Sequence, residues 1–310
     1  MSKGPGLFTD IGKKSKDLLT KDYNSDQKLT ISSYSISGVA LTSTSVKKGG
    51  LSTGDVAALY KYKNTIIDVK LDTASTISTT LTFNDVLPST KTIASFKLPD
   101  YNSGKLEVQY FHDHATLTTA VALKQSPVID VSATVGTPTI ALGAEAGYDT
   151  SSGGFTKYTA GISVTRPDSS ASVILLVSFT HKICVPNYLV ISIILKANKL
   201  ILNMYFPISG DKGDSIKASY LHHLDLLKKS AAVAEITRKF STNENIFTVG
   251  GSFAVDPLTQ VKARLNNHGK LGALLQHEII PKSVFTVSGE IDTKALDKKP
   301  RFGLAIALKP

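Results

Sequence analysis

The sequence predicts an all-β chain that closes into a transmembrane β-barrel. After Tyr23, apolar and polar residues alternate with period two, as in strands whose two faces meet different surroundings. The segments run to about 8 to 11 residues, the length of a tilted transmembrane strand, and our count from Gln27 to Lys309 is about nineteen. No convincing helix follows residue 22 to cover so wide a sheet, and closure removes the sheet's edges.

Composition and charge limit the kinds of function that the chain can have. The chain has 310 residues, 42% of them hydrophobic, and a mean hydropathy of +0.04. A barrel with an apolar outside and a wet inside gives this balance, and so does a soluble β-sandwich. The formal charge of +10 attracts anions, but the basic residues are spread along the chain and form no run typical of nucleic-acid tails. A single cysteine excludes an internal disulfide framework and a Cys-based zinc site.

Residues 5–20 are predicted to form an amphipathic helix. Pro5 suits the first helical position, and one apolar stripe contains Leu7, Phe8, Ile11, Leu18 and Leu19. The helix could simply dock on the body of the protein. A transit peptide fits less well, because the stretch contains Asp and lacks Arg. The N-terminus has no apolar region of a secretory signal, so we expect synthesis in the cytosol and insertion into an organelle's outer membrane.

The polar faces of the strands are predicted to line an aqueous lumen, because side chains cannot fill a closed barrel of this many strands. The predicted pore-lining cations are Lys70, Lys105, Lys217, Lys262, Arg264 and Lys309. Their partial counter-charges are Asp68, Asp72, Glu107 and Glu235. Excess positive charge on a channel wall concentrates anions and repels cations, so the expected activity is selective diffusion without chemistry.

Aromatic residues lie mostly near the predicted strand ends, where the interfacial girdles of a membrane barrel are found. They are Tyr23, Tyr34, Tyr60, Tyr62, Tyr101, Tyr110, Tyr148, Tyr158 and Phe302.

Three stretches resemble a known family. They are the opening run from Asp10 to Tyr23, the run from Ser241 to Asn245, and the C-terminal run from Arg301 to Leu308. They are similar to the N-terminal helix, a late hairpin and the C-terminal β-signal of the mitochondrial voltage-dependent anion channels (mitochondrial porins), most like the plant branch. The β-signal reads polar-x-Gly-x-x-apolar-x-apolar, which Arg301, Gly303, Ile306 and Leu308 satisfy.

The resemblance implies a function as well as a fold. It implies a barrel of about nineteen strands, with the N-terminal amphipathic helix inside the pore, integral to the mitochondrial outer membrane. It also implies voltage-dependent closure and diffusive passage of ATP, ADP, phosphate and other small anions. The family's helix takes part in gating, which assigns that role to Asp10, Lys13, Lys16, Asp17 and Lys21.

The expected partners also follow from the resemblance. They are membrane lipid, the permeating anions and nucleotides, and the outer-membrane sorting machinery that reads the β-signal; homo-oligomerisation is left open. No nucleic acid, cofactor, metal or catalytic residue is expected, and the protein is expected not to be an enzyme. Animal members carry a lipid-facing glutamate, but the corresponding outward positions contain no acid: Ile77, Thr79, Leu81 and Phe83.

Residues 176–209 interrupt the pattern. The predicted division is therefore a pore helix at 1–23 and a barrel at 24–310 with this insertion. It contains the single cysteine, Cys184, and no acidic residue, and the alternation is lost. A transmembrane helix is disfavoured, because the apolar run from Leu189 to Leu195 is far shorter than the about 18 to 20 residues required. A functional loop and translated non-coding sequence, such as a retained intron, remain; we favour the second.

Other motifs are weaker evidence for a functional site. His112 and His114 share one strand face, and His222 and His223 are adjacent, but neither pair has a predicted third ligand. The run from Gly210 to Asp214 lacks the spacing of a phosphate loop and is interpreted as a turn. The rival function is a soluble β-rich protein that binds a polyanion with its basic face.

Overall fold

The computed structural model describes residues 4–177, 187–195, 200–208, 215–225, 227–297 and 299–309, with backbone alone at 177, 187–195 and 200–208. One sheet of 19 strands forms a closed barrel, confirming the predicted fold class. Its first strands are β1 (Gln27–Tyr34), β2 (Val39–Lys48), β3 (Leu51–Tyr62), β4 (Thr65–Asp72), β5 (Ile77–Asn84), β6 (Thr90–Leu98), β7 (Gly104–Phe111), β8 (Ala115–Leu123), β9 (Val128–Gly136) and β10 (Ile140–Asp149). Its remaining strands are β11 (Gly154–Thr165), β12 (Ser169–Val177), β15 (Ser215–His223), β16 (Ala231–Lys239), β17 (Glu244–Ala254), β18 (Thr259–Asn266), β19 (Lys270–Ile280), β20 (Ser283–Asp292) and β21 (Arg301–Leu308).

Consecutive barrel strands pair antiparallel, and the barrel is closed by a parallel pairing of β1 with β21, in which Leu29 lies opposite Ile306. The N-terminal segment, residues 4–26, lies inside and contacts Gly143, Gly161 and Gly250. These contacts identify the inner face, and the register carries the assignment from strand to strand. Apolar side chains alternate outward, as predicted.

The N-terminal helix is shorter than predicted. A single 3₁₀ turn covers Phe8–Asp10, and α1 runs only from Lys13 to Thr20. The expected start at Pro5 is wrong because Gly6 and Gly12 adopt left-handed φ angles of 80° and 73°, which turn the chain along the wall. Phe8, Ile11 and Leu19 are still buried on one side. No described helix is long and apolar enough to cross a membrane.

The insertion contains a hairpin of its own. Strands β13 (Asn187–Leu195) and β14 (Leu200–Ile208) pair with each other in a separate two-stranded sheet. β12 and β15 pair directly, with Ser172 opposite Ser219, so the barrel closes without the insertion. The predicted boundary shifts, because Leu176 and Val177 belong to β12. Cys184 and the run 210–214, interpreted as a turn, lie outside the described residues.

Most of the predicted girdle lies as expected, with two exceptions. Tyr34 shares the inward face of β1 with Lys28. Tyr60 and Tyr62 stack at the end of β3, with ring centroids 6.4 Å apart. Tyr23 instead lies in the lumen, where its ring packs beneath the guanidinium of Arg264. Its position in sequence, next to the first strand, could not reveal that the chain is still inside the barrel there.

Candidate functional site: the lumen and its N-terminal segment

The N-terminal segment is held against the wall at glycines. A Cβ placed on Gly143 would lie 2.7 Å from Cδ2 of Phe8, and one on Gly250 would lie 2.7 Å from Cδ2 of Leu19. Such separations are too short for a real Cβ. Phe8 and Leu19 can therefore pack against the wall only because glycine, which has no side chain, occupies these positions. The glycines that face this segment, here called the wall glycines, are Gly143, Gly161, Gly250, Gly272 and Gly303.

Polar contacts supplement this packing. The Thr116 hydroxyl donates a 2.6 Å hydrogen bond to the carbonyl of Gly6. The Ser288 hydroxyl donates to the carbonyl of Asn24 at the other end of the segment. Between them, α1 contacts β15 to β18, where Leu19 joins an apolar cluster with Leu221 and Val233. The segment therefore follows the wall from β8 to β21.

The segment makes few polar contacts with the rest of the wall. In the described part of the chain, no hydrogen bond or ion pair joins residues 4–24 to β2, β3, β4, β5 or β6, and the last residue of the segment, Asp26, has its Oδ2 4.0 Å from the Lys48 Nζ at the end of β2. The open lumen is therefore bounded by these strands on one side and by α1 on the other. Permeating ions must pass between them.

The predicted gating residues lie on and beside α1. Lys13 forms an ion pair with Asp10, and the Lys13 Nζ lies 3.2 Å from the Asp10 Oδ1. Asp10 belongs to the 3₁₀ turn rather than to α1. The side chains of Lys16, Asp17 and Lys21 are exposed on the face opposite Leu19. Ser15, only 2% exposed, faces the wall with Leu19. The helix thus presents charges to the open lumen, and their part in gating stays a prediction.

Most of the predicted pore-lining cations do face inward, but they are paired. Their ion pairs are Lys70–Asp55 at 3.2 Å, Lys105–Glu107 at 3.1 Å, Lys217–Glu235 at 2.9 Å, Lys262–Asp22 at 3.6 Å and Arg264–Glu290 at 2.8 Å. A further inward pair joins Lys157 to Glu145 at 2.8 Å. A closed ion pair adds a dipole but no net charge to the field in the lumen.

The structure refines two of these placements. Lys309 lies one residue beyond β21, at the rim rather than on the wall, and its backbone N–H donates to the Ser283 hydroxyl. Lys70 pairs with Asp55 on β3, while Asp68 and Asp72, predicted as partial counter-charges, share its inward face on β4. The Asp72 carboxylate accepts backbone hydrogen bonds from Ala74 and Thr76 in the following turn. Local sequence could not show which carboxylate lies across the sheet.

Other inward lysines were missed. The register turns Lys28, Lys61, Lys91 and Lys97 to the lumen, and among the described residues none of them forms an ion pair. We call these four the unpaired lysines. They lie on β1, β3 and β6, in or beside the wall that the N-terminal segment leaves open. Their alternation with outward residues such as Tyr60 and Phe96 was the available signal.

The residues of the predicted β-signal all lie on β21. Arg301 and Gly303 face inward, and Asn24 packs closely on Gly303. Ile306 faces outward between Leu29 and Phe285. Leu308 ends the strand. This placement does not test recognition by the sorting machinery, which stays a prediction.

The histidine pairs stay unassigned. The His112 and His114 rings lie 6.3 Å apart in the turn between β7 and β8, not on one strand face as predicted. His222 stacks on Tyr220, with centroids 6.4 Å apart. Within the described ranges, no group of three or more His, Cys, Asp or Glu residues could hold a metal ion.

Comparisons with known proteins agree with this architecture. The sequence family described as eukaryotic porin matches residues 4–303. Mitochondrial outer membrane protein porin 2 of Arabidopsis thaliana is 63% identical over 310 residues, covering 100% of both chains. Mitochondrial outer membrane protein porin 5 of Oryza sativa subsp. japonica is 58% identical over 308 residues, covering 99% of each. The outer plastidial membrane protein porin of Pisum sativum is 44% identical over 310 residues, covering 100% of both chains.

Proposed function

The chain belongs to the eukaryotic porin family, and we propose that it is a voltage-gated, anion-selective channel of the mitochondrial outer membrane. The proposed activity is diffusive passage of chloride, phosphate and small metabolites such as ATP and ADP. The observation that carries the proposal is the set of unpaired lysines, which face the part of the lumen left open by the N-terminal segment.

The outer wall supports a membrane location. Large apolar side chains remain exposed over most of the outer wall, including Leu29 at 41%, Leu41 at 49% and Phe302 at 70%. An exposed apolar surface of this extent is not stable in water, but it matches the hydrocarbon core of a bilayer. The soluble polyanion-binding alternative requires a polar exterior, and the polar faces of these strands point inward.

The lumen supports anion preference. On β1 to β7 the inward cations outnumber the inward carboxylates. The inward cations are Lys28, Lys48, Lys61, Lys70, Lys91, Lys97 and Lys105; the inward carboxylates are Asp55, Asp68, Asp72 and Glu107. On the other side, α1 exposes Lys14 and Lys16 against Asp17, Lys21 is exposed just after it, and the charge of Lys13 is offset by Asp10. Anions therefore meet positive charge on both sides of the passage, which raises their local concentration.

The mitochondrial assignment follows the more similar relatives. The two relatives with 63% and 58% identity carry mitochondrial names, whereas the pea protein at 44% is named for the plastid.

Expression of the tagged chain in plant cells, followed by separation of mitochondria and plastids, tests the location. Extraction with alkaline carbonate separates an integral barrel, which stays in the membrane, from a soluble protein, which is released. Release from the membrane would contradict the proposal.

A further inference from the structure

Arg264 lies at the centre of the contacts that fix the end of α1. Its Nη1 donates a 2.6 Å hydrogen bond to the carbonyl of Leu19, and its Nη2 lies 2.8 Å from Oε2 of Glu290. The guanidinium carbon also lies 4.3 Å from the centre of the Tyr23 ring. One side chain thus joins the helix end, the following linker and the neighbouring wall.

The helix end favours such a cation. The last carbonyls of α1 have no partner within the helix, and the helix dipole places partial negative charge there. Leu19 belongs to this last turn, and its side chain is buried against the wall. A guanidinium can bind this carbonyl and a carboxylate at once because its N–H groups form a planar fork. A lysine ammonium at the same place could hold one of them.

Neighbouring residues restrict the conformation of the Arg264 side chain. Gly272 lies directly opposite it in the register, and a Cβ there would lie 3.0 Å from the Arg264 Nε. On the same strand, the Lys262 Nζ lies 3.6 Å from the Asp22 Oδ2. The Gln276 side-chain amide donates a hydrogen bond to the same Asp22 oxygen. The Arg264 side chain is about a quarter exposed, so these contacts are only partly screened by solvent.

We propose that Arg264 is a positioning residue, which fastens the end of α1 to the wall and so keeps the charged face of the helix toward the open lumen. Its charge is offset by Glu290, so its main effect is on helix position rather than on the net charge of the lumen. This role rests on the proposed channel function. The position of α1 determines how wide the passage is and on which side of the passage the charges of α1 lie.

A thiol reporter measures helix position directly. Ser15→Cys places a near-isosteric thiol on the wall-facing side of α1, and Cys184→Ser removes the natural cysteine from the background. The refolded protein is placed in liposomes, and the rate of labelling by a small maleimide is measured. We expect slow labelling in this parent, because Ser15 is buried.

Variants of Arg264 are then compared in the Ser15→Cys background. Arg264→Gln removes the charge and the planar fork and is expected to raise the labelling rate by about tenfold, whereas Arg264→Lys, whose ammonium can hold one of the two partners, should raise it by less. Lys97→Gln and Lys97→Arg are the matched controls, because Lys97 faces the lumen without an ion pair, and they should leave the rate unchanged. Arg264→Gln is the decisive variant because it removes the guanidinium that binds the Leu19 carbonyl and Glu290 together. A parental labelling rate in Arg264→Gln would overturn the inference.

A second pair of variants covers the case in which Arg264 variants fail to fold. Tyr23→Phe keeps the ring beneath the guanidinium and should label like the parent, whereas Tyr23→Leu removes the ring and should label faster. Equal rates for these two variants would count against the inference. Labelling needs only a folded barrel in a membrane. A chain that labels as expected but conducts no ions therefore contradicts the proposed function and leaves the position of the helix established.

Discussion

Lys105 and Glu107 lie two residues apart on β7, both facing the lumen, with the lysine Nζ 3.1 Å from the glutamate Oε2. Gln109, the next inward residue, donates a 2.6 Å hydrogen bond to the other carboxylate oxygen. The most regular polar face in the sequence is therefore a closed network without net charge. Anion selectivity must come from lysines that lack such a partner.

Neutralising a complete pair should change selectivity little. Lys105→Gln with Glu107→Gln leaves the net charge of the lumen unchanged. Lys91→Gln with Lys97→Gln removes two unpaired charges by the same number of substitutions. We expect the first double variant to keep the parental reversal potential in a salt gradient, and the second to shift it toward zero. A larger shift from the first variant would show that pairing does not determine each lysine's contribution.

A lysine on the outer wall should be costly. Val69 faces outward on β4, and its neighbour across the sheet is Thr79. Val69→Lys is expected to lower the free energy of unfolding by about 2 to 4 kcal/mol, as for a lysine at the bilayer midplane. Thr80→Lys on the inner face of β5 is the control and should cost much less. Urea unfolding in lipid vesicles measures both, and equal costs would contradict the assigned faces.

The wall glycines should be sensitive to a single methyl group. Gly143→Ala forces a Cβ into the space of Phe8 and should lower the free energy of unfolding by about 1 to 3 kcal/mol, as overpacking does. Gly289→Ala, on the outer face, is the control because its Cβ would meet Phe302 only at an ordinary 3.5 Å. The same urea titration compares them. The account of the wall glycines is wrong if Gly143→Ala is as stable as Gly289→Ala.

The insertion should be dispensable for the barrel. We propose that residues 178–209 are foreign to the fold, because β12 pairs directly with β15. Deleting them leaves 210–214 as a connection of ordinary hairpin length. We expect the shortened chain to refold and conduct like the parent in planar bilayers. Loss of conductance would instead support a functional loop.

Transcript sequencing tests the favoured origin of the same segment. Abundant spliced message lacking its codons is the result expected of a retained intron. Absence of such message would contradict that origin, and the segment would then be a genuine part of the protein.

Much of the barrel could be predicted because its determinants are local. In a strand, a side chain's face follows from its parity, so the alternation of Leu106, Val108 and Tyr110 with polar neighbours already assigned the wall of β7. The strand count followed from the same alternation and from the turn residues between segments. Lys105 with Glu107 could have been recognised as a pair, since residues two apart on a strand share a face.

The remaining features depend on contacts between distant residues. Lys70 pairs across the sheet with Asp55, and Arg264 contacts a helix carbonyl 245 positions earlier. The late start of α1 depends on the left-handed angle of Gly12, while helical periodicity alone extended the helix to Pro5. Such features require the register and the path of the N-terminal segment, which no local pattern contains.

Reversal-potential recording from the purified chain in a planar bilayer shows whether the barrel is an anion-selective channel. With a potassium chloride gradient across the membrane, we expect stepwise channels whose reversal potential has the sign of chloride preference, together with closure at higher voltage. The unpaired lysines and the exposed charges of α1 are the stated cause. A reversal potential of the sign for potassium preference in the open state, or the absence of channels from folded protein, would contradict it.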